Sequence, residues 1–205
     1  YNPIYSESTT RARRTLYFPA GSYLTSSPIL VPPYATLRGE GRENTLIISS
    51  NVSAPVMKTT DSQFYGSGTV KSRDIVIDGI GLQQSGNASL ITSSALVIDG
   101  TRAARLVNMS FRGNTTANAT TNNLVYITDS VQSTRSITFE QCSFTYAASG
   151  VNVVVQGSGI SSVRVNNSAF DLLSIAGYTI SSTVNGFGSS HNYFGAVTTP
   201  RLFNA

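Results

Sequence analysis

Apolar residues along this chain recur at every second position, and no stretch of useful length carries the three-and-four spacing of an amphipathic helix. Four segments share one register: IVIDGIGL ending at Leu82, ARLVNMSF at Phe111, ITFEQCSF at Phe144 and VRVNNSAF at Phe170. A weaker fifth, FGSSHNYF, ends at Phe194. In the first four, a large apolar residue closes the segment, with small or apolar residues two and five positions earlier; the fifth closes on Phe194 but has Asn192 two back. The closing residues follow one another at intervals of 29, 33, 26 and 24 positions. One short strand pattern returning at irregular intervals, with inserts between copies, is the mark of a solenoid that adds a rung per repeat.

Stacking the segments puts like on like. The closing column is Leu82, Phe111, Phe144, Phe170 and Phe194; two residues back lie Ile80, Met109, Cys142, Ser168 and Asn192; five back lie Ile77, Leu106, Phe139 and Val165. Period-two alternation sends these columns to the interior, where rungs about 4.8 Å apart bring each aromatic ring within stacking reach of the next. A second strand in each repeat is predicted over 95–98, 124–127, 151–155 and 178–181. Upstream, residues 16–48 show short β-branched or aromatic runs split by Pro-Ala-Gly, Ser-Ser-Pro, Val-Pro-Pro and Gly-Glu-Gly, all of them turn chemistry.

Between the inward columns sits a turn column of Gly79, Asn108, Gln141 and Asn167, with His191 next in line. Gly and Asn tolerate the left-handed backbone of such a bend. An amide repeated at one position predicts a buried ladder in which each side chain bonds its equivalents above and below.

The stretch TLYFPAGSYLTSSPILVPPYATLRGEGRENTLI resembles the first coil of the pectate-lyase-like superfamily of single-stranded right-handed parallel β-helices, which includes phage tailspikes and depolymerases. The resemblance implies an all-β, right-handed parallel β-helix of about six or seven coils over residues 15–205, preceded by a leading segment over 1–14. It also implies a tailspike or tail-fibre type of virion protein, extracellular on a tail or surface appendage. Homotrimeric assembly, contact with other virion proteins and a polysaccharide-binding surface follow from the same resemblance.

The family's enzymes use clustered carboxylates on neighbouring rungs, or carboxylates that hold Ca²⁺ beside a basic residue. Only ten acids occur here, and neither the hydrolase NTD…DD…GHG…RIK series nor the lyase RxPxxR motif is present. No catalytic residue, metal or cofactor is therefore assigned. The best remaining pair is Asp99 and Asp129, which follow the 95–98 and 124–127 strands of successive repeats, near the ~5–5.5 Å carboxyl separation of a retaining glycosidase if stacked. Asp99 precedes Phe111 by 12 positions and Asp129 precedes Phe144 by 15, which argues against a shared register. Strand-end aspartates that accept turn N–H bonds are the preferred explanation. As glycan-binding candidates we take Asp99, Asp129, Tyr126 and Tyr65, the last in the polar excursion TTDSQFYGSGTVK; the longest excursion is RGNTTANATTNN.

Other features carry less. Net charge is +4, with Arg11, Arg13 and Arg14 clustered. Against a nucleic-acid or anionic-lipid contact or a basic protease site, a solvated leading segment is the plainer reading, since no aromatic interleaving or nucleic-acid motif accompanies them, and no nucleic-acid partner is expected. With no run near ~18 apolar residues, no membrane insertion is expected. Arg73, Arg105, Arg135 and Arg164 form a partial outward stripe able to meet acidic saccharides, solubility and strand-edge protection being the plainer reading. Asp78 and Glu140 share one outward column. Cys142, in the interior column, reads as an inert small hydrophobe, and His191 as a turn residue. Of six N-x-S/T sequons, those at Asn51, Asn87, Asn108 and Asn166 are put down to chance in so Asn-, Ser- and Thr-rich a chain, and those at Asn114 and Asn118, in the RGNTTANATTNN insert, are set apart as the mark of a glycosylated surface protein. A first residue that is Tyr rather than Met fits a piece processed or excised from something longer.

Three functions compete. A non-enzymatic virion module that forms a rigid shaft or glycan-contact surface is preferred. A tailspike-type polysaccharide depolymerase is the alternative, and a secreted cell-surface adhesin the third.

Overall fold

The computed structural model describes residues 14–64, 68–86, 93–114, 123–181 and 183–204. Every segment that forms regular structure among them is a strand. Each coil has three faces. The first is a seven-stranded parallel sheet of Arg14–Phe18, Ala35–Gly39, Arg73–Asp78, Arg102–Val107, Thr134–Glu140, Ile160–Asn166 and Asn185–Ser190. Seven successive strands make seven coils, and six steps of about 4.8 Å give a rod roughly 29 Å long.

A second, 12-stranded sheet bends to supply the other two faces. Face two begins with Gly21–Leu24, Thr45–Ser49, Gly81–Gln84 and Ser110–Arg112, and face three with Ile29–Val31, Met57–Thr59, Leu96–Asp99 and Asn123–Thr128. In the fifth and sixth coils, one long strand (Ser143–Val154, then Ala169–Ser181) runs through both faces. Tyr193–Phe194 and Val197–Asn204 complete the seventh coil. The chain is thus a right-handed parallel β-helix, the hand that parallel crossover connections take.

The registered segments prove to be two strands and the bend between them. Pairing Leu82↔Phe111, Phe111↔Phe144, Phe144↔Phe170 and Phe170↔Phe194 reproduces the closing column, and Tyr23↔Ile47 and Ile47↔Leu82 extend it to the first coil. The rings of Phe111, Phe144, Phe170 and Phe194 stack at centroid distances of 5.0, 4.5 and 5.1 Å, nearly parallel. Room for them is left on the opposite wall: a Cβ on Gly150 would stand 2.8 Å from the Phe170 ring, and one on Gly177 2.7 Å from that of Phe194. Ile77, Leu106, Phe139 and Val165 also stack in register and are buried.

Bends come from left-handed residues repeated rung after rung. Gly79, Asn108, Gln141, Asn167 and His191 all have positive φ, between 49° and 68°. Each of the first four donates its backbone N–H to the next coil, Asn108 to the Glu140 carbonyl at 2.9 Å and Asn167 to that of Ser190 at 3.1 Å. The expected amide ladder is not there. The left-handed backbone turns these side chains outward, so Gln141, Asn167 and His191 are exposed and Asn108 half-buried, and no side-chain bond joins successive members. A polar ladder stands instead at the corner between faces three and one, and it is made of hydroxyls. Ser72, Thr101 and Thr59 are linked through their oxygens at 2.9 Å each, and Thr134 Oγ1 accepts from the Thr101 N–H at 3.2 Å.

Two further left-handed columns carry residues that do not advertise the conformation. Asp74, Ala103, Ser136, Ser162 and Gly186 form a bulge near the start of face one, and Tyr146 and Leu172 mark the kink between faces two and three. The polar excursion after Thr59 closes as a two-stranded antiparallel hairpin, Ser62–Phe64 with Gly68–Val70. Asp61 ties its base to Lys71 Nζ at 2.9 Å and to the Ser72 N–H at 2.7 Å.

Candidate functional site

Asp99 and Asp129 do not meet. Asp99 stacks on Thr128, so the two acids are one position out of register, on opposite sides of the alternation. Asp99 is 8% exposed; Oδ1 accepts from the Ser130 N–H at 2.9 Å and Oδ2 from the Ser130 hydroxyl. Asp129 is fully buried and accepts from three N–H groups of the following turn, Gln156 at 2.6 Å, Gly157 at 3.2 Å and Gly159. A buried carboxylate saturated by fixed backbone donors cannot approach a sugar, so here it pins a turn.

Tyr126 does not offer its ring to solvent: it is 2% exposed, and its hydroxyl accepts from Gln156 Nε2 at 3.1 Å. Its neighbours in the outward row of face three, Val97, Asn152 and Thr179, are buried too. Tyr65 lies outside the described residues, as do Arg11, Arg13, Asn87 and Asn118. Every other described carboxylate is also engaged within the chain. Glu40 takes the Tyr17 hydroxyl, Glu43 takes Arg112, Asp74 takes Arg73 at 2.9 Å, and Glu140 takes Asn167 Nδ2 at 2.5 Å. Asp171 accepts from the Leu172 and Ala196 N–H groups, and Asp78 faces Arg38 at 3.9 Å.

What the fold leaves open is the corner between faces one and two. A groove of about 590 Å³ there is lined by Tyr17, Arg38, Glu40, Asp78 and Asn108. A second, of about 510 Å³, is lined by Arg42, Gln141, Asn167, His191 and Tyr193. Asn108 lines both, so one track follows the rod axis. The outward-turned left-handed residues form its floor, Gly79 with backbone alone and Asn108, Gln141, Asn167 and His191 with one side chain per rung. Tyrosines stand toward its ends, Tyr17 half exposed and Tyr193 67% exposed. Arg42 is fixed by donating to the Gln141 carbonyl at 2.7 Å. Hydrogen bonding to Glu40 raises the Tyr17 hydroxyl above its ordinary value, so it stays a neutral donor. Amides, hydroxyls and aromatic faces in a row suit a hydroxyl-rich linear ligand, each ring offering an apolar body and a polar tip.

Cys142 does lie in the core: it is 1% exposed, and burial pushes its thiol up to about 12, which removes the thiolate that nucleophilic chemistry needs. The amide column that signalled the bend was legible in the sequence, but its role as a groove floor was not. That depends on which way a left-handed residue throws its side chain.

Fold and surface together define a parallel β-helix protein with an open polar track along one corner. Over residues 2–192 the chain matches, and it belongs to, the rhamnogalacturonase A/epimerase, pectate lyase-like family. Among solved structures it is similar to ORF18 of Geobacillus virus E2, at 13% identity and a TM-score of 0.50 over 92% of this chain and 53% of that one. The chain therefore spans about half the length of that protein. It is also similar to the pectin methylesterase PemA of Erwinia chrysanthemi, at 10% identity and a TM-score of 0.47, covering 98% of this chain and 87% of that one. No curated protein matches the chain in sequence.

Proposed function

We propose that the chain is a non-catalytic β-helix module of a phage virion appendage, a rigid rod that presents its corner groove to a glycan on the host surface. The observation that carries this reading is the state of the acids. Among the described residues, each carboxylate accepts from or faces a partner within the chain, and the two on successive rungs are buried, Asp99 at a strand end bound to Ser130 and Asp129 bound to three N–H groups of a turn. Glycoside hydrolysis needs a pair of carboxyls flanking an open cleft. A scaffold of seven parallel coils with locked corners supports the shaft role, because long-range parallel pairing holds surface groups at fixed spacing. Similarity to a phage protein supports the virion setting by fold-level analogy.

Membership of a family described by rhamnogalacturonase and epimerase favours a second reading, a polysaccharide depolymerase. One experiment separates the two. Fluorescently labelled protein is incubated with a panel of bacterial cells before and after periodate oxidation of their surface glycans, and released reducing ends and unsaturated sugars are assayed. Periodate-sensitive binding without released product is the expected outcome. Product release promotes the depolymerase, and binding indifferent to periodate on every strain defeats the glycan contact.

A further inference from the structure

The arginines of face one raise a question that the groove does not answer. Strand register places Arg73, Arg102 and Arg135 directly opposite one another on three consecutive rungs. Arg105 and Arg164 both pair with Thr138, so they lie two rungs apart in the next outward column. All five side chains are exposed. Like charges directly opposite on neighbouring strands, about 4.8 Å apart, are destabilising.

Arg73 is compensated, with Asp74 at 2.9 Å and the Tyr34 ring 6.0 Å from its guanidinium carbon. The other four are not. Among the described residues no carboxylate comes within ion-pair distance of Arg102, Arg105, Arg135 or Arg164, and Arg135 has only the Ser133 hydroxyl at 3.1 Å. The register sets Glu140 diagonally between Arg105 and Arg164, yet its carboxylate is turned to Asn167 at the corner. The fold therefore holds four guanidinium groups over three successive rungs of a flat, rigid face, with no described carboxylate placed to neutralise them.

We propose that this face is a binding surface for a linear anionic glycan, one whose repeating carboxylates or phosphates pair with Arg102, Arg135, Arg105 and Arg164. The inference rests on the glycan-contact reading above and adds the charge of the ligand and a second surface for it. Guanidinium forks match carboxylate and phosphate oxygens bidentately. A rigid parallel sheet repeats them along one axis, so a polymer lying along the rod meets them without reordering the protein. Nucleic acid is the poorer fit. The outward residues between these arginines are Val76, Val107, Thr138 and Ser161, none of them an aromatic platform for stacking bases. The amides and tyrosines that suit sugar hydroxyls lie at the adjoining corner.

The test uses the whole chain at low ionic strength with four immobilised probes: polygalacturonate, poly(ribitol phosphate), uncharged dextran, and duplex DNA at matched charge concentration. Salt-sensitive retention on the first or second, and weaker retention on DNA, is expected. A variant with Arg102→Ser, Arg105→Ser, Arg135→Ser and Arg164→Ser should bind the retaining polyanion about tenfold or more weakly, with a flatter salt dependence. Its thermal midpoint should equal or exceed that of the parent, because self-repulsion is removed. A control with Lys58→Ser, Lys71→Ser, Arg112→Ser and Arg201→Ser removes the same charge elsewhere and should bind as the parent does. Equal losses in the two variants, no retention on either polyanion, or tighter retention on DNA overturns the proposal. If periodate-sensitive cell binding persists while polyanion retention is absent, the charge inference alone has failed.

Discussion

Replacing Asp129 separates a structural aspartate from a sugar-binding one. Its carboxylate is fully buried and accepts from the N–H groups of Gln156, Gly157 and Gly159. Asp129→Ala leaves three donors without an acceptor, at about 1–3 kcal/mol each when nothing replaces it. Gln156 and Gly157 are exposed, so water recovers part of that, and each donor counts near the lower bound. The expected loss is about 3 kcal/mol, a large share of the 5–15 kcal/mol typical of a domain. Asp129→Asn keeps one acceptor oxygen but turns an NH₂ toward a donor, and about 2 kcal/mol is expected. Asp99→Asn should cost only about 1 kcal/mol, since Asp99 serves a single residue, Ser130. Urea unfolding at neutral pH with the slope held in view measures the loss. Because solenoids can open coil by coil, amide exchange at Gln156, Gly157 and Gly159 should be followed alongside, and should accelerate in both Asp129 variants. Losses below about 0.5 kcal/mol with unchanged exchange, together with lost glycan retention, would refute the structural role and return Asp129 to the site.

Phe144→Ala removes a ring that stacks on both neighbours at 5.0 and 4.5 Å, and should cost about 3–5 kcal/mol in urea unfolding; Phe144→Leu should cost clearly less. Alkaline pH should weaken the fold. Burial raises the Tyr178 hydroxyl and the Cys142 thiol to about 12, above their unfolded values, so the unfolded chain sheds these protons first. The stability they contribute is whole below about pH 9, the unfolded thiol value, and is lost as pH rises toward about 12. Unfolding midpoints at pH 8, 10 and 11 should fall in that order, and Tyr178→Phe should flatten the decline. Leu172, 44% exposed at φ 54°, occupies a backbone region that costs a side chain about 1 kcal/mol. Leu172→Gly should be neutral or stabilising by up to that amount, whereas Leu172→Val should destabilise by at least as much; thermal melts of the two check the order.

Alternation at period two and the return of one closing residue determined the interior of this protein from sequence alone. Each is a local property: burying one side of a strand fixes which residues face inward, and identical rungs stack identical columns. Leu82, Phe111, Phe144, Phe170 and Phe194 therefore align by sequence alone, and the strands pair them in that register. The bend at Asn108, Gln141 and Asn167 was legible for a related reason, since amide side chains tolerate left-handed backbone. The matching bends at Ala103, Ser136, Tyr146 and Leu172 were not, because those side chains carry no such preference and the conformation is imposed by pairing above and below.

Surface chemistry depended on tertiary structure almost throughout. Asp99 and Asp129 look equivalent along the chain, and a single residue of register sends one to Ser130 and the other into a separate turn. Tyr126 looks like a ring for a sugar, and packing on both sides of face three buries it. The hydroxyl ladder of Thr59, Ser72 and Thr101 was hidden because Ser and Thr are abundant everywhere in the chain. The corner groove joins Tyr17 to Tyr193, residues from the first and last coils. Sequence pattern reports what a residue's own strand does with it, while a groove or a row of arginines arises from distant strands laid side by side.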